Sequence, residues 1–207
     1  MSSTHYPICD LFTSIQGEGG LVGMPFVFLR FWGCPLSCPW CDEPRHRDPG
    51  CRRILDLEEL LVEIQRQSPR LDHVLLTGGE PLAVPHLDLL VSRLKERNCF
   101  VAMETSGVGG APPPGIDWIT LSPKTPLPHF PAQRVNEVKF VLGEHEEPAQ
   151  EALIQWWARH PHPLWLQPRW QGSGLPRNAV RRCLDRVLAA EGRFRLSLQI
   201  HKWLDIP

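Results

Sequence analysis

The sequence has no excess of charge of either sign: 22 Lys and Arg face 23 Asp and Glu, for a net charge of -1. Bulk electrostatics therefore give no reason to expect nucleic acid or an acidic membrane as partner. No apolar run reaches the roughly 18 residues that span a bilayer. The opening segment MSSTHYPICD has neither a basic stretch nor an apolar core, so it does not read as a signal peptide; a cytoplasmic location is the expectation. The seven cysteines, an odd count, argue against a disulfide framework. Repeats and low-complexity blocks are also missing. Proline, by contrast, is abundant at 22 residues, and it is spread over short connectors such as 111–114 and 123–131. That pattern reads as many stiff loops rather than disorder. At 207 residues and 42% apolar content, the chain can bury a real core. A single domain over 1–207 is expected.

Short β-rich runs alternate with helical patterns. Strands are expected at 25–31, 72–76, 99–103, 117–121, 135–142, 164–167 and 194–200. Helices are expected at 56–67, 85–97, 147–160 and 176–191. Asp56 with Glu59 three residues on reads as a capping box. This alternation implies an α/β fold whose sheet is mostly parallel, with helical crossovers. Such sheets carry their chemistry in loops at the carboxyl ends of the strands. Five polar loops fall there: the cysteine segment after 25–31, TGGEP after 72–76, ETSG after 99–103, SPK after 117–121, and LQP closing 164–167. One shared site is the simplest reading.

Three cysteines, Cys34, Cys38 and Cys41, fall within eight residues as C-x3-C-x2-C, in a loop spanning about 32–50. Thiolates suit zinc or iron–sulfur clusters. A structural zinc site wants four ligands; His46 and Cys51 are near enough in sequence to complete one. Three thiolates on a four-iron cubane would instead leave one iron open to a small chelating molecule. Thr77-Gly78-Gly79-Glu80-Pro81 adds a turn in which two glycines let the backbone approach a ligand and a carboxylate or carbonyl accepts from an ammonium. Cys99 and Cys183 lie in apolar contexts and read as small core residues.

The two motifs together resemble the radical SAM superfamily, whose members hold a [4Fe–4S] cluster and S-adenosylmethionine (SAM) in a partial, modified TIM-like barrel. Further segments narrow the resemblance to the 7-carboxy-7-deazaguanine synthases: DLFTSIQGEG at 10–19, Arg30, Ser122-Pro123-Lys124 and Leu198-Gln199-Ile200-His201-Lys202-Trp203. QGEG and QxHKW are the most specific of these, and the resemblance covers nearly the whole chain. It implies a carbon–nitrogen lyase of queuosine and deazapurine biosynthesis. That enzyme converts 6-carboxy-5,6,7,8-tetrahydropterin to 7-carboxy-7-deazaguanine with loss of ammonia. A 5′-deoxyadenosyl radical takes hydrogen from C6, and SAM is regenerated. The implied partners are a pterin substrate, a second copy in a homodimer, and a flavodoxin or ferredoxin as reductant.

The resemblance also implies roles. Cys34, Cys38 and Cys41 hold the cluster. Trp40, Asp42, Gly78, Gly79, Glu80, Ser106, Ser122, Pro123, Lys124, Gln167, Pro168, Arg169 and Trp170 surround SAM. Ile15, Gln16, Gly17, Glu18, Arg30, Thr77, His201 and the terminal Pro207 bind substrate. Arg30 is a planar donor fork suited to the substrate carboxylate, and Gln16 and Glu18 can match the amide and amino edge of a pterin. One departure stands out. The family places threonine, a Mg²⁺ ligand, two residues after the third cysteine, and here that position is Glu43. A carboxylate can hold Mg²⁺, but it also adds negative charge beside an anionic substrate. The Arg-rich segment after Glu43 reads first as a plain solvated loop; offsetting that charge and binding a reductant are the alternatives. Other readings are a radical SAM enzyme on a related pterin or purine, a glycyl-radical activase, and a zinc-bound structural or nucleic-acid-binding module.

Overall fold

The computed structural model describes residues 4–127 and 129–207. In chain order the elements are β1 (His5–Ile15), β2 (Pro25–Phe31), β3 (Arg53–Asp56), α1 (Leu57–Gln67), β4 (His73–Gly78), α2 (Leu87–Glu96), β5 (Phe100–Thr105), β6 (Trp118–Leu121), β7 (Glu137–Leu142), α3 (Pro148–Trp157), β8 (Leu164–Pro168), α4 (Arg177–Ala189), β9 (Phe194–Leu196) and α5 (Ile200–Leu204). Among the described residues nine strands make one open sheet, ordered β3-β1-β2-β4-β5-β6-β7-β8-β9. β1 runs antiparallel to both β2 and β3. From β2 to β9 every pairing is parallel. The expected α/β class and mostly parallel sheet are present.

The expected elements match to within a few residues, and α1 begins where the capping box places it. The Asp56 carboxylate accepts from the Glu59 N–H, and the Glu59 carboxylate accepts from the Asp56 N–H, both at 2.9 Å. A cap of this kind is worth about 1 kcal/mol. Two differences have physical causes. The expected strand over 194–200 stops at Leu196, because the chain leaves the β8 ladder after Ser197 and turns into α5. β1 was not foreseen: its register shifts between Ile8 and Asp10, so the two-residue alternation that marks a strand is broken.

The pleat sorts the side chains by face. Val27, Leu29 and Phe31 of β2, Val74 and Leu76 of β4, and Val101 and Met103 of β5 pack with residues of α1 and α2 in one buried cluster. Val138, Phe140 and Leu142 of β7 and Leu164 and Leu166 of β8 join residues of α3 and α4 in a second. Cys99 and Cys183 are buried in these clusters, as expected of core cysteines. With one face committed to the helices, the opposite face of the same strands is left for other work. A smaller apolar group, including Phe26, Phe28 and Leu75, covers part of it.

The glycines of TGGEP serve the fold before they serve a ligand. Gly78 has φ +99°, and a Cβ there would lie 2.6 Å from the Phe31 nitrogen; a Cβ on Gly79 would lie 1.9 Å from the Gly33 carbonyl oxygen. The Gly79 N–H donates to Phe31 O at 2.9 Å and the Glu80 N–H to Gly33 O at 3.0 Å. The end of β4 is thus clipped to the start of the cysteine loop, at a distance only glycine permits. Gly79→Ala is expected to destabilise the protein by about 1–3 kcal/mol, the usual cost of overpacking, read as a lower urea midpoint. An unchanged midpoint would mean that the loop yields freely.

Candidate active site

The free face of the sheet presents one polar side chain from nearly every strand: Arg30 on β2, Thr77 on β4, Glu104 on β5, Thr120 on β6, Lys139 on β7 and Gln167 on β8. Register sets Arg30 beside Thr77 and Glu104 beside Thr120. All six line one cavity of about 250 Å³. Around its rim stand Cys34, Cys38 and Cys41, Gly78 to Glu80, Ser106, Ser122, Lys124, Arg169 and Trp170. Ile15, Gln16, Gly17, Glu18, Trp40, Asp42, Glu43, His201 and Pro207 complete the wall. The five loops therefore do converge on one site. Of the residues the resemblance places around the cluster, SAM and substrate, all but Pro123 and Pro168 line the cavity.

At its centre lies a buried ion triad. Lys139 pairs with the Glu18 carboxylate and, at 3.1 Å, with Glu104. Thr77 Oγ1 and Gln16 Nε2 also donate to Glu104, at 3.1 and 3.3 Å. Burial alone would raise the Glu18 carboxyl, but the attraction of Lys139, with hydrogen bonds from Lys139 and Gln199, outweighs it and holds the group at about 2. Burial opposes the charge on Lys139 too; the two carboxylates overcome it and keep the ammonium well above its ordinary range. Sequence reasoning missed Glu104 and Lys139 as site residues.

The two most specific segments meet here from opposite ends of the chain. Gln199 Nε2 donates to Glu18 and to Asp42, both at 2.7 Å, and the Ile200 N–H donates to Gly17 O at 3.1 Å. A Cβ on Gly17 would lie 2.1 Å from His201 Nδ1, so glycine is what lets the histidine approach. Asp42 also pairs with Lys202. It therefore ties the cysteine loop to α5. Ser14 Oγ donates to the Pro207 oxygen at 2.8 Å.

The thiols are free, and Cys34, Cys38 and Cys41 are each partly exposed. Burial raises Cys34 and Cys41, and neighbouring thiols raise them further, so the three act on one another across the loop. Ligand atoms of a tetrahedral zinc–thiolate site stand about 3.8 Å apart, given Zn–S bonds of about 2.3 Å. Among the described residues, the only trio of His, Cys, Asp or Glu with ligand atoms within 4.8 Å of one another is Glu18, Asp42 and His201. The three cysteines are not gathered into such a trio, so they are not set for one tetrahedral ion. Three soft donors around an open cavity thus fit an iron–sulfur cluster with a free coordination position.

Glu80 is 1% exposed. Its carboxylate accepts from Thr105 Oγ1 and Ser106 Oγ, both at 2.5 Å, from the Ser106 N–H at 2.8 Å and from the Leu82 N–H at 3.0 Å. Burial still pushes its pKa up. Glu80 thus binds the ETSG loop to the TGGEP turn. Lys124 Nζ donates to Ser122 Oγ at 2.7 Å, and burial lowers its pKa. Arg169 lies over the Trp40 ring at 5.5 Å.

Glu43 is held by two arginines. Arg45 grips both carboxylate oxygens at 2.9 Å, and Arg30 Nη1 donates to one of them at 2.5 Å. Arg45 also reaches Asp10 at 3.1 Å. The extra negative charge at this position is therefore offset within the protein. Both oxygens being engaged, the arrangement does not fit Mg²⁺.

A three-cysteine site on the open face of a parallel sheet defines a radical SAM protein, and residues 31–138 match the model of the Radical SAM superfamily. The 7-carboxy-7-deazaguanine synthase of Neisseria meningitidis serogroup B is 40% identical over 97% of this chain and 94% of its own length. That of Escherichia coli K12 is 32% identical over 97% and 99%. The crystal structure of QueE from Escherichia coli superposes with a TM-score of 0.76 at 30% identity, over 94% of each chain. The chain belongs to the 7-carboxy-7-deazaguanine synthase family.

Breaking the ion triad has a defined signature. Lys139→Met leaves two partly buried carboxylates without their cation and is expected to cost about 3 kcal/mol in chemical denaturation; adding Glu18→Gln should recover part of that. Glu18 titrates below its ordinary 4.5 in the folded protein. Its contribution is thus complete above that pH and falls as the pH drops towards 2. In Glu18→Gln this part of the acid dependence should vanish; an unaltered pH profile would contradict the pairing.

Proposed function

We propose that this chain makes 7-carboxy-7-deazaguanine from 6-carboxy-5,6,7,8-tetrahydropterin by radical ring contraction with release of ammonia. The observation that carries this reading is the docking of QGEG against the Gln199–His201 segment, in the same cavity as the three cysteines. A generic radical SAM fold needs no such junction.

Cys34, Cys38 and Cys41 hold the [4Fe–4S] cluster. The cluster and SAM, when bound, supply one-electron cleavage and hydrogen abstraction; the protein supplies binding, orientation and exclusion of water. For SAM, the Ser122–Lys124 pair offers a cation and a hydroxyl to the carboxylate. Glu80 spends its carboxylate on the protein, so main-chain carbonyls of the Gly78–Gly79 turn are left to accept from the ammonium. Trp40, Asp42, Ser106, Gln167, Arg169 and Trp170 frame the rest, with Pro123 and Pro168 shaping the backbone behind them. For the substrate, Arg30 has donors beyond the one given to Glu43 and turns them to the carboxylate. Its guanidinium lies 4.8 Å from the centre of the Phe12 ring, which fixes its plane. Glu18, Gln16, the backbone of Ile15 and Gly17, Thr77, His201 and Pro207 read the polar edge of the pterin.

A homodimer, and a flavodoxin or ferredoxin as reductant, complete the proposal. Among the described residues no helix is long and apolar enough to cross a membrane, and a thiol-rich cluster site belongs in the reducing cytoplasm.

Anaerobically reconstituted protein given SAM, dithionite and 6-carboxytetrahydropterin should form a product with the mass and absorption of the carboxylated deazapurine. SAM cleavage without a deazapurine would reject this substrate while keeping the chemistry. Since Arg45 already neutralises Glu43, turnover should be unchanged when divalent ions are chelated. A rate restored only by Mg²⁺ would show that Arg45 gives way to the ion.

A further inference from the structure

His46 is buried beside the cysteine loop, in the short 3₁₀ turn Pro44–Arg47, and is only 1% exposed. Among the described residues its Nδ1 has no hydrogen-bond partner, and its Nε2 lies 3.4 Å from Cys41 Sγ. Its main-chain carbonyl accepts from the Gly33 N–H at 3.0 Å. Gly33 immediately precedes Cys34, so one residue grips the loop at both ends, by its backbone at the start and by its ring at the last thiol.

Burying an imidazole with one nitrogen unsatisfied costs free energy. A packing role alone would be met better by an apolar side chain. Among the described residues the ring's side-chain partner is a sulfur, and that sulfur belongs to a cluster ligand. An iron-bound thiolate carries no proton, so any hydrogen between the two atoms comes from Nε2. A donor aimed at a ligand sulfur withdraws electron density from the cluster. Because reduction adds negative charge there, the reduced state gains most, and the potential moves up.

We propose that His46 is a positioning residue for the cluster: its Nε2–H donates to the Cys41 sulfur, orients that ligand and raises the cluster's reduction potential. Reduction by a protein electron donor is thereby eased. The inference rests on the reading that Cys34, Cys38 and Cys41 hold the cluster. Iron content tests that reading, and the midpoint potential tests this one.

The experiment compares anaerobically reconstituted full-length wild type with His46→Leu and His46→Gln, titrating each poised sample by EPR. At about four irons per chain, as a [4Fe–4S] cluster requires, His46→Leu should be reduced about tenfold less readily at the wild-type midpoint. For one electron that is a shift of 59 mV to more negative potential. His46→Gln retains an N–H donor and should fall between. A wild-type midpoint in His46→Leu with full iron would overturn the proposal. If His46→Leu loses its iron, the wild-type protein carrying ¹⁵N-histidine decides. Nitrogen hyperfine coupling to the reduced cluster, weak as for a donor to a ligand sulfur, supports the proposal. Its absence, or a coupling of the size of a direct iron ligand, overturns it.

Discussion

A buried ammonium between two carboxylates is tolerated only while every charge is paired, and Lys139 with Glu18 and Glu104 meets that condition. The triad holds together parts that are remote in sequence. Glu18 belongs to the loop after β1, Glu104 to β5 and Lys139 to β7. Removing the central cation would leave the two acids repelling each other in the cavity proposed to take an anionic substrate. Around the triad, Gln16, Thr77 and Gln199 supply the remaining hydrogen bonds. The side of the cavity proposed for substrate is therefore organised before any ligand arrives, which is the preorganisation that binding and catalysis draw on.

The cofactor side is built by different means. There the backbone does most of the joining. Gly33 accepts from Glu80 and donates to His46, Gly79 donates to Phe31, and the Glu80 carboxylate gathers Thr105 and Ser106. The cysteine loop, the TGGEP turn and the ETSG loop are thus one hydrogen-bonded unit. Asp42 and Gln199 then connect that unit to the substrate side. A single loop carries the three cysteines, yet its position depends on other segments.

Much of this was legible in the sequence. C-x3-C-x2-C, TGGEP, QGEG and QxHKW are short and chemically explicit, and each falls on the cavity. Strand boundaries and the capping box followed from local pattern. What could not be read locally was partnership. Lys139 in EVKFVL and Glu104 in VAMET are charges in otherwise apolar strands; only register reveals that they share a face and a neighbour. Charge at alternate positions of such a strand, as at Glu137 and Lys139, is the signal that could have found them. The segment 194–200 alternates apolar and polar residues as a strand should, but Ser197 and Gln199 are the buried ones, and docking on Gly17 overrides the strand after Leu196. The glycines of TGGEP were expected to admit a ligand, whereas the neighbouring backbone already needs them. At Glu43 the Arg-rich segment reads from sequence first as a solvated loop, and the structure favours the lesser alternative, since Arg45 offsets the charge.

The central claim is that three thiols carry a cluster whose open iron meets SAM in the cavity that also binds the pterin. The most direct measurement is EPR of the reduced, anaerobically reconstituted protein before and after SAM is added. The account requires about four irons per chain and a signal that changes on SAM addition, as expected when one iron lacks a protein ligand. A colourless zinc protein, or a cluster signal indifferent to SAM, would contradict it.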